Sequence, residues 1–309
     1  MTAGAVLRVG TRASALAREQ TAIVCRLLGD AEPDVRTEAV PILTEGDRDR
    51  VTPLRALGGA GVFTDALQSA LIERRIDVAV HSLKDLPVGE TEGLVLAAIC
   101  RRDDARDVLV TRGRTPLSAL PAQARVGTCS TRRTSQLLAV RPDLRIGDVR
   151  GNVETRLRKV DAGEFDAIVL AAAGLRRLGR EAAISEYLSL DEFLPAPGQG
   201  AIAVQCRTDD AETRAMLAPL DDPDARCATD AERAFLGALG GGCAAPVGAF
   251  ACVERNAARE RLVMRGLVAS LDGRTIVRVA GTGDVQRGAA LGAELATAAR
   301  ERGAVALLS

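Results

Sequence analysis

One strand–turn–helix pattern occurs twice in this chain and constrains its fold more than any other feature. Arg8-Val9-Gly10-Thr11 ends an apolar strand and leads into a periodic helix, and Arg125-Val126-Gly127-Thr128 does the same. The short apolar runs Ile76–Val80 and Phe165–Val169 form a second repeated pair, typical of buried strands. The helices are predicted over 15–28 and near 135–140. We therefore predict two α/β lobes related by an internal duplication.

The first lobe holds extra residues between these landmarks. Residues 44–61 are rich in charge and glycine, which gives a segment that buries little and can bend at its glycines. An active-site lid is one interpretation of this segment, and a passive surface loop is the other.

The remaining chain predicts a return to the first lobe and then a third domain. Leu194–Gly200 interrupts the pattern, and the strand at 201–204 is predicted to rejoin the first lobe. Asp272-Gly273 is a hairpin signal between two strands of an α+β domain. The elements predicted there are helices 224–239 and 286–302 and strands 247–253, 262–270 and 275–279. The domains are then 1–100 with 201–219, 101–200, and 220–309, with a cleft between the two lobes.

Composition excludes several classes of function. The formal net charge is zero and the chain has no Trp, one Tyr and five Phe, so a nucleic-acid-binding surface is not expected. No apolar run approaches the roughly 18 residues of a membrane span, and the N-terminus lacks a secretory signal pattern. The seven cysteines include no C-x-x-C pair, so neither disulfides nor a metal site is expected. These observations predict a cytoplasmic protein.

Lys84 is one of only two lysines in this chain. All but two of the 41 basic residues are arginine, and His81 is the only histidine. Lys84-Asp85 follows a predicted buried strand, and ligands bind outside the carboxyl ends of strands in open α/β sheets. The position favours a functional lysine–carboxylate pair over a structural one.

Arginines recur where strands lead into helices. Helix N-termini already favour anions, and arginine suits bidentate contacts with carboxylate or phosphate. This shared position predicts a ligand that carries several anionic groups. The arginines concerned are Arg12, Arg132, Arg133, Arg150, Arg156, Arg176 and Arg177.

Cys243 follows three glycines, which places its thiol on a loop. A reactive or covalently modified thiol is the preferred interpretation. Two other functions stay open from the residues alone. A non-catalytic clamshell that binds small anions explains the arginines but not the cysteine. A cysteine hydrolase with His81 as base explains the cysteine but not the arginines.

Five ordered motifs resemble the porphobilinogen deaminase (hydroxymethylbilane synthase) family, and the similarity runs from Leu7 into the C-terminal domain. The motifs are His81–Pro87, Gly127–Arg133, Arg150–Leu157, Pro195–Gly200 and Gly241–Cys243. The resemblance implies two type II periplasmic-binding-protein-like lobes and a third domain. It implies a dipyrromethane cofactor bound to Cys243 through a thioether. On this primer, four porphobilinogen molecules are joined head to tail with loss of ammonia, and hydroxymethylbilane is released.

The resemblance also implies a role for each matching residue. Asp85, with Lys84 beside it, is the catalytic group. It stabilises the positive charge that loss of ammonia leaves on the pyrrole. The carboxylates of the cofactor are held by Ser82, Lys84, Ser130, Arg132 and Arg133, with Asp85 facing the cofactor. Those of the substrate and growing chain are received by Arg12, Ser14, Arg150, Arg156 and Arg177. No metal is implied, and a monomer is expected.

The chain departs from the family pattern at three positions. Ala60 stands where lysine is common, which puts a direct contact between the 44–61 lid and substrate in doubt. Cys129 replaces a common serine, and Thr131 replaces a frequent leucine. None of the three changes Lys84, Asp85, the paired arginines or Cys243.

Overall fold

The computed structural model describes residues 6–44, 64–242, 244–256 and 259–308. By its internal contacts the chain divides into two units, Met1–Asp103 with Ala201–Arg226 and Asp104–Gly200 with Cys227–Ser309. The first unit holds one α/β lobe. The second unit holds the other lobe and the C-terminal α+β part. The predicted fold class is confirmed, and the finer division into three domains stays a prediction.

The first lobe is a five-stranded sheet with one antiparallel strand in its interior. That strand is β10, which pairs antiparallel with both of its neighbours. The strand therefore rejoins the first lobe after the chain has passed through the second, as predicted. The sheet order is β2 (Arg36–Ile42), β1 (Val6–Arg12), β3 (Val78–Ser82), β10 (Ile202–Arg207) and β4 (Leu94–Ile99). The helices of this unit are α1 (Ala15–Ala31), α2 (Asp65–Ile72) and α6 (Ala211–Leu217).

The second lobe repeats this arrangement with its strands in a different chain order. Its interior antiparallel strand, β5, comes first in sequence rather than last. The sheet order is β7 (Arg145–Gly147), β6 (Arg125–Gly127), β8 (Ala167–Ala171), β5 (Asp107–Thr111) and β9 (Glu186–Tyr187). The helices of this lobe are α3 (Thr131–Val140), α4 (Val153–Asp161) and α5 (Ala172–Arg177).

The predicted duplication extends to individual hydrogen bonds. The backbone N–H of Arg8 donates to the Asp77 carboxylate at 3.0 Å, and that of Arg125 donates to the Asp166 carboxylate at 2.7 Å. In return, each aspartate N–H donates to the carbonyl of its arginine at 2.9 Å. The repeated arginine and the repeated aspartate therefore join two neighbouring strands in the same way in each lobe.

The C-terminal part is a three-stranded antiparallel sheet with helices. The Asp272-Gly273 hairpin forms as predicted, with Gly273 at a φ of 72°, where a side chain would be strained. A β-carbon at Gly273 would also collide with the α3 backbone, so the hairpin tip packs closely against that helix. The elements are α7 (Pro223–Ala238), β11 (Val247–Asn256), β12 (Arg259–Ala269), β13 (Ile276–Gly283) and α8 (Gly288–Glu301).

Several predicted element boundaries were wrong by a few residues. The second repeated helix begins at Thr131 rather than near Ser135, because Ser130 is its N-cap and accepts a hydrogen bond from the Arg133 N–H. Both repeated strands begin and end two residues later than predicted, at Val78–Ser82 and Ala167–Ala171. The shift in the helix matters most, because it places Arg132 and Arg133 inside the first helical turn.

Candidate active site

The predicted residues of the first lobe gather at the carboxyl edge of its parallel strands. Arg12 is the last residue of β1 and Ser82 is the last residue of β3, the neighbouring strand. Lys84 and Asp85 follow at once in a single 3₁₀ turn, and both are half-buried. This is the position at which open α/β sheets bind ligands.

The two predicted serines of this lobe also hold local structure. The Ser14 hydroxyl caps α1 by accepting from the Ala17 N–H at 3.2 Å. The Ser82 hydroxyl is bonded to the side-chain amide of Gln20, at 2.9 and 3.2 Å. Both hydroxyls are therefore fixed in place at the edge where Lys84 and Asp85 lie.

His81 is buried beneath this edge. Its pKa is lowered to about 4, mainly by burial and further by the nearby charge of Arg12. A hydrogen bond with Gln205 acts in the opposite direction and raises the pKa. The imidazole is therefore neutral at pH 7. Its Nε2 atom is buried and has no hydrogen-bond partner within the described part of the chain.

In the second lobe, Arg132 and Arg133 are both buried and both bind Asp107. Arg132 Nη1 donates to Asp107 Oδ2 at 2.6 Å and to the Leu194 carbonyl at 2.8 Å. Arg133 donates to Asp107 Oδ1 through Nε at 3.1 Å and through Nη2 at 2.7 Å. Its Nη1 donates to the Val169 carbonyl at 2.9 Å. The two guanidiniums are thus held in fixed orientations.

The charges in this cluster do not cancel. Burial alone would raise the pKa of Asp107, but the charges of Arg132 and Arg133 and their hydrogen bonds outweigh it and hold that pKa well below its usual range. The aspartate is therefore a carboxylate at pH 7. One negative charge against two positive charges leaves the three side chains with a net charge of about +1.

The other predicted arginines lie at the same edge of the second lobe. Arg150 precedes α4, and its Nη1 is buried with no hydrogen-bond partner among the described residues. Arg156 Nε donates to the Gly151 carbonyl at 2.9 Å. Arg177 Nη2 donates to the Gly200 carbonyl at 2.5 Å. The described second-lobe candidates therefore lie in the helices that follow β6, β7 and β8 or in the turns that precede those helices.

Two of the departures from the family pattern lie beside these residues. Cys129 Sγ lies 3.1 Å from the Val149 carbonyl, and burial raises the pKa of this thiol. The Thr131 hydroxyl donates to the Ala244 carbonyl at 2.5 Å. Cys243 itself, Ala60 and the 44–61 lid beyond Thr44 lie outside the described residues.

Two residues of this site were missed by the sequence reasoning. Asp107 opens a strand whose five residues are all buried, and an acid in that position signals a buried charge pair. Gln199 Nε2 donates to Asp107 Oδ1 at 2.9 Å and to the Ala105 carbonyl at 2.8 Å. Gln199 lies in the motif Pro195–Gly200, for which the resemblance implied no role of the glutamine.

Comparison with known families decides what this arrangement belongs to. Residues 7–215 match the model described as "Porphobilinogen deaminase, dipyromethane cofactor binding domain", and residues 226–301 match "Porphobilinogen deaminase, C-terminal domain". The chain belongs to the porphobilinogen deaminase family. Its function is the family transferase reaction, in which four porphobilinogen molecules are polymerised head to tail on a dipyrromethane primer. The alternative of a non-catalytic anion binder is not supported.

Curated relatives cover nearly the whole chain. A porphobilinogen deaminase of Roseiflexus sp. is 48% identical over 303 residues, covering 98% of this chain and 98% of that protein. One of Syntrophobacter fumaroxidans is 43% identical, covering 98% and 97%. Among solved structures, the periplasmic VFT2 domain of Bordetella pertussis BvgS aligns with a TM-score of 0.42 and 16% identity, over 70% of this chain and 86% of that one.

The family places porphobilinogen as substrate and dipyrromethane as cofactor. Within the described ranges, no helix is both long and apolar enough to cross a bilayer. In the same ranges, no group of three or more His, Cys, Asp or Glu side chains is placed to hold a metal ion.

Proposed function

We propose that the residues at the two carboxyl edges carry the porphobilinogen deaminase reaction in this chain. The observation that supports this most is one of position: each described candidate lies at the end of a parallel strand or in the turn or helix that follows one. In the first lobe these residues are Arg12, Ser14, Ser82, Lys84 and Asp85. In the second they are Ser130, Arg132, Arg133, Arg150, Arg156 and Arg177.

The polar residues of the second lobe fit the carboxylates of a dipyrromethane. The cluster of Arg132, Arg133 and Asp107 carries an excess positive charge in a buried place, which an anion would compensate. Arg150, a proposed contact of the substrate rather than of the cofactor, has a buried Nη1 without a partner among the described residues, as expected for a donor that binds a ligand. Ser82, Lys84, Asp85 and Ser130 complete the proposed cofactor contacts.

Cys243 is the proposed attachment point, through a thioether. When bound, the dipyrromethane supplies the nucleophilic pyrrole on which the chain is extended. The Thr131 hydroxyl bonds to Ala244, the residue after Cys243, at 2.5 Å. Ala244, the residue after the proposed attachment point, is therefore held beside the N-terminus of α3, where Arg132 and Arg133 lie.

Asp85 is the proposed catalytic group. Ammonia leaves from the aminomethyl carbon of porphobilinogen, and positive charge then develops on that carbon and on the pyrrole nitrogen. A carboxylate at this point stabilises the developing charge and can accept the proton that is lost when the new carbon–carbon bond forms. Lys84 is placed beside it to hold a carboxylate of the cofactor. Arg12, Ser14, Arg150, Arg156 and Arg177 receive the acetate and propionate groups of substrate and growing chain.

The first test is the intact mass of the denatured protein. We expect a mass excess equal to two porphobilinogen molecules less their ammonia, and no excess in Cys243→Ser. An unmodified wild-type mass that does not increase after incubation with porphobilinogen would contradict the proposal.

The second test separates catalysis from binding. Asp85→Asn keeps the size of the side chain and removes its charge, so we expect normal cofactor mass and loss of turnover by at least about a hundredfold. Turnover is measured as porphobilinogen consumed and hydroxymethylbilane released. Near-normal turnover in Asp85→Asn would remove Asp85 from the mechanism.

We also propose the boundaries 1–100 with 201–219, 101–200 and 220–309 for the three domains. The enzyme is proposed to act as a monomer in the cytoplasm. The six described cysteines are all free thiols, which suits a reducing compartment. Light scattering during size-exclusion chromatography tests the monomer: a mass near 32.3 kDa is expected, and a multiple of it would contradict this.

A further inference from the structure

Asp107 is the residue through which the second lobe orients its paired arginines. Its side chain is 1% exposed, and its two oxygens accept four hydrogen bonds at 2.6 to 3.1 Å. Three of the four come from Arg132 and Arg133, and the last comes from Gln199. The guanidinium group is planar and rigid. When some of its N–H groups are held by Asp107, the remaining N–H groups therefore point in a defined direction.

Asp107 is itself held in place from the C-terminal part of the chain. Gln199, which donates to it, lies on a loop whose Gly198 N–H donates to the Glu232 carboxylate of α7 at 2.7 Å. The other oxygen of Glu232 accepts from the Ala251 N–H of β11 at 2.7 Å. Gln199 is 1% exposed and Glu232 is fully buried, so buried hydrogen bonds from the adjacent residues Gly198 and Gln199 connect α7 to Asp107.

The first lobe shows that the fold does not require these charges. The strand registers make Ile202 the counterpart of Asp107, since Ile202 pairs with Ser82 and Asp107 pairs with Ala171 at equivalent points of β3 and β8. The N-caps Ser14 and Ser130 likewise align Leu16 and Ala17 with Arg132 and Arg133. The same three positions are apolar in one lobe and charged in the other.

Buried ion clusters are weak sources of stability, and apolar residues of similar volume often replace them without loss. The first lobe has apolar residues at these three positions. A purpose other than folding is therefore needed for the charged set.

We propose that Asp107 is a positioning residue for cofactor uptake, which orients Arg132 and Arg133 toward the carboxylates of the dipyrromethane. This rests on the proposed function, in which those arginines hold the cofactor. Asp107 does not touch the cofactor in this proposal. It fixes the two side chains that do, and Gln199 and Glu232 fix Asp107.

The test measures cofactor loading rather than turnover. Wild type, Asp107→Asn, Arg132→Gln and Asp77→Asn are purified from cells that make no porphobilinogen, so that each starts without primer. Each is then incubated with porphobilinogen, and loading is followed by intact mass while the melting temperature is recorded. Asp77 is the matched control because it too binds two arginines, Arg8 and Arg207, but at the opposite edge of its sheet.

Asp107→Asn is expected to take up the cofactor at least about tenfold more slowly than wild type. Removal of a group that orients a metal-binding side chain weakens a metal site by about 10- to 100-fold, and we expect the lower end of that range here. Asp77→Asn is expected to have a lower melting temperature than wild type but to take up the cofactor at the wild-type rate. Wild-type loading by Asp107→Asn, with Arg132→Gln defective, would overturn the positioning role alone. Wild-type loading by Arg132→Gln would overturn the assignment of that arginine in the proposed function.

Gln199→Met keeps the proposal falsifiable if Asp107→Asn does not fold. It removes one hydrogen bond to Asp107 while leaving all charges in place. We expect loading to slow by about threefold or more. Loading at the wild-type rate, with Asp107→Asn unfolded, would overturn the proposal.

Discussion

Asp77 and Asp107 each bind two arginines, but they do so at opposite edges of equivalent sheets. Asp77 precedes β3 and binds Arg8 and Arg207 at the amino edge of the parallel strands. Asp107 begins the antiparallel strand β5, and so lies at the carboxyl edge of its neighbours. The side chain of Asp77 is 16% exposed and that of Asp107 is 1% exposed.

The difference shows that chemistry alone does not identify a functional ion cluster. In both clusters one aspartate binds two guanidiniums and its pKa is lowered, although Arg207 of the Asp77 cluster also binds the Asp210 carboxylate at 2.7 Å. The Asp77 cluster joins the beginning of β3 to β1 and to the end of β10, where no ligand is expected. Position on the sheet therefore separates the structural cluster from the one proposed to orient ligand-binding side chains.

The largest expected effect comes from giving the second lobe the residues of the first. In the triple variant Asp107→Ile, Arg132→Leu, Arg133→Ala, we expect no detectable cofactor by intact mass, because both proposed carboxylate-binding arginines are gone. We also expect it to be more stable than Asp107→Asn, since an apolar set replaces a buried charge without a partner. Thermal unfolding checks the second part. A triple variant less stable than Asp107→Asn would show that the second lobe needs its charges to fold.

The next largest expected effect is the loss of stability on replacing each of the two aspartates. Asp107→Asn leaves two buried guanidiniums facing each other and is expected to lower the free energy of unfolding by about 3–5 kcal/mol. Asp77→Asn is expected to cost about 1–3 kcal/mol, because water reaches part of that cluster. Urea unfolding followed by circular dichroism measures both. Equal costs would remove burial as the distinction between the two clusters.

The smallest expected effect is a change with pH, at acid pH, in the difference in melting temperature between wild type and the aspartate variants. Folding lowers the pKa of both aspartates, so each stabilises the protein fully above the unfolded pKa of about 3.9 and loses its contribution as the pH falls toward the folded value. The difference in melting temperature between wild type and each variant should stay constant from pH 8 to pH 5 and narrow below about pH 4. A difference that stays constant down to pH 2.5 would exclude these carboxylates as the cause.

Much of this fold follows from short patterns in the sequence. The repeated Arg-Val-Gly-Thr motif and the repeated apolar strands predicted two equivalent lobes, since each motif marks the end of a strand that leads into a helix. The return of the chain at 201–204 was predicted from the break at Leu194–Gly200. The start of α3 was misplaced because Thr131, Arg132 and Arg133 look polar, although burial of the two arginines makes them part of the interior.

The candidate site could be predicted only in part, because its supporting bonds connect distant residues. Arg132 and Arg133 stand out locally, whereas Asp107 lies some 25 residues earlier in a strand. Gln199 lies 92 residues after Asp107, and Glu232 comes later still. Spacing along the chain carries no signal for contacts of this kind, which arise only when strand register and helix packing are both fixed.

The position of β10 has a consequence for the order in which the chain can fold during synthesis. The second lobe is continuous from β5 to β9, so all five of its strands are available once Tyr187 has been made. The first lobe lacks an interior strand until Arg207 has been made, although its other strands are synthesised much earlier. A ribosome therefore completes the second sheet before the first, and β3 and β4 wait with unpaired edges while more than a hundred residues follow them.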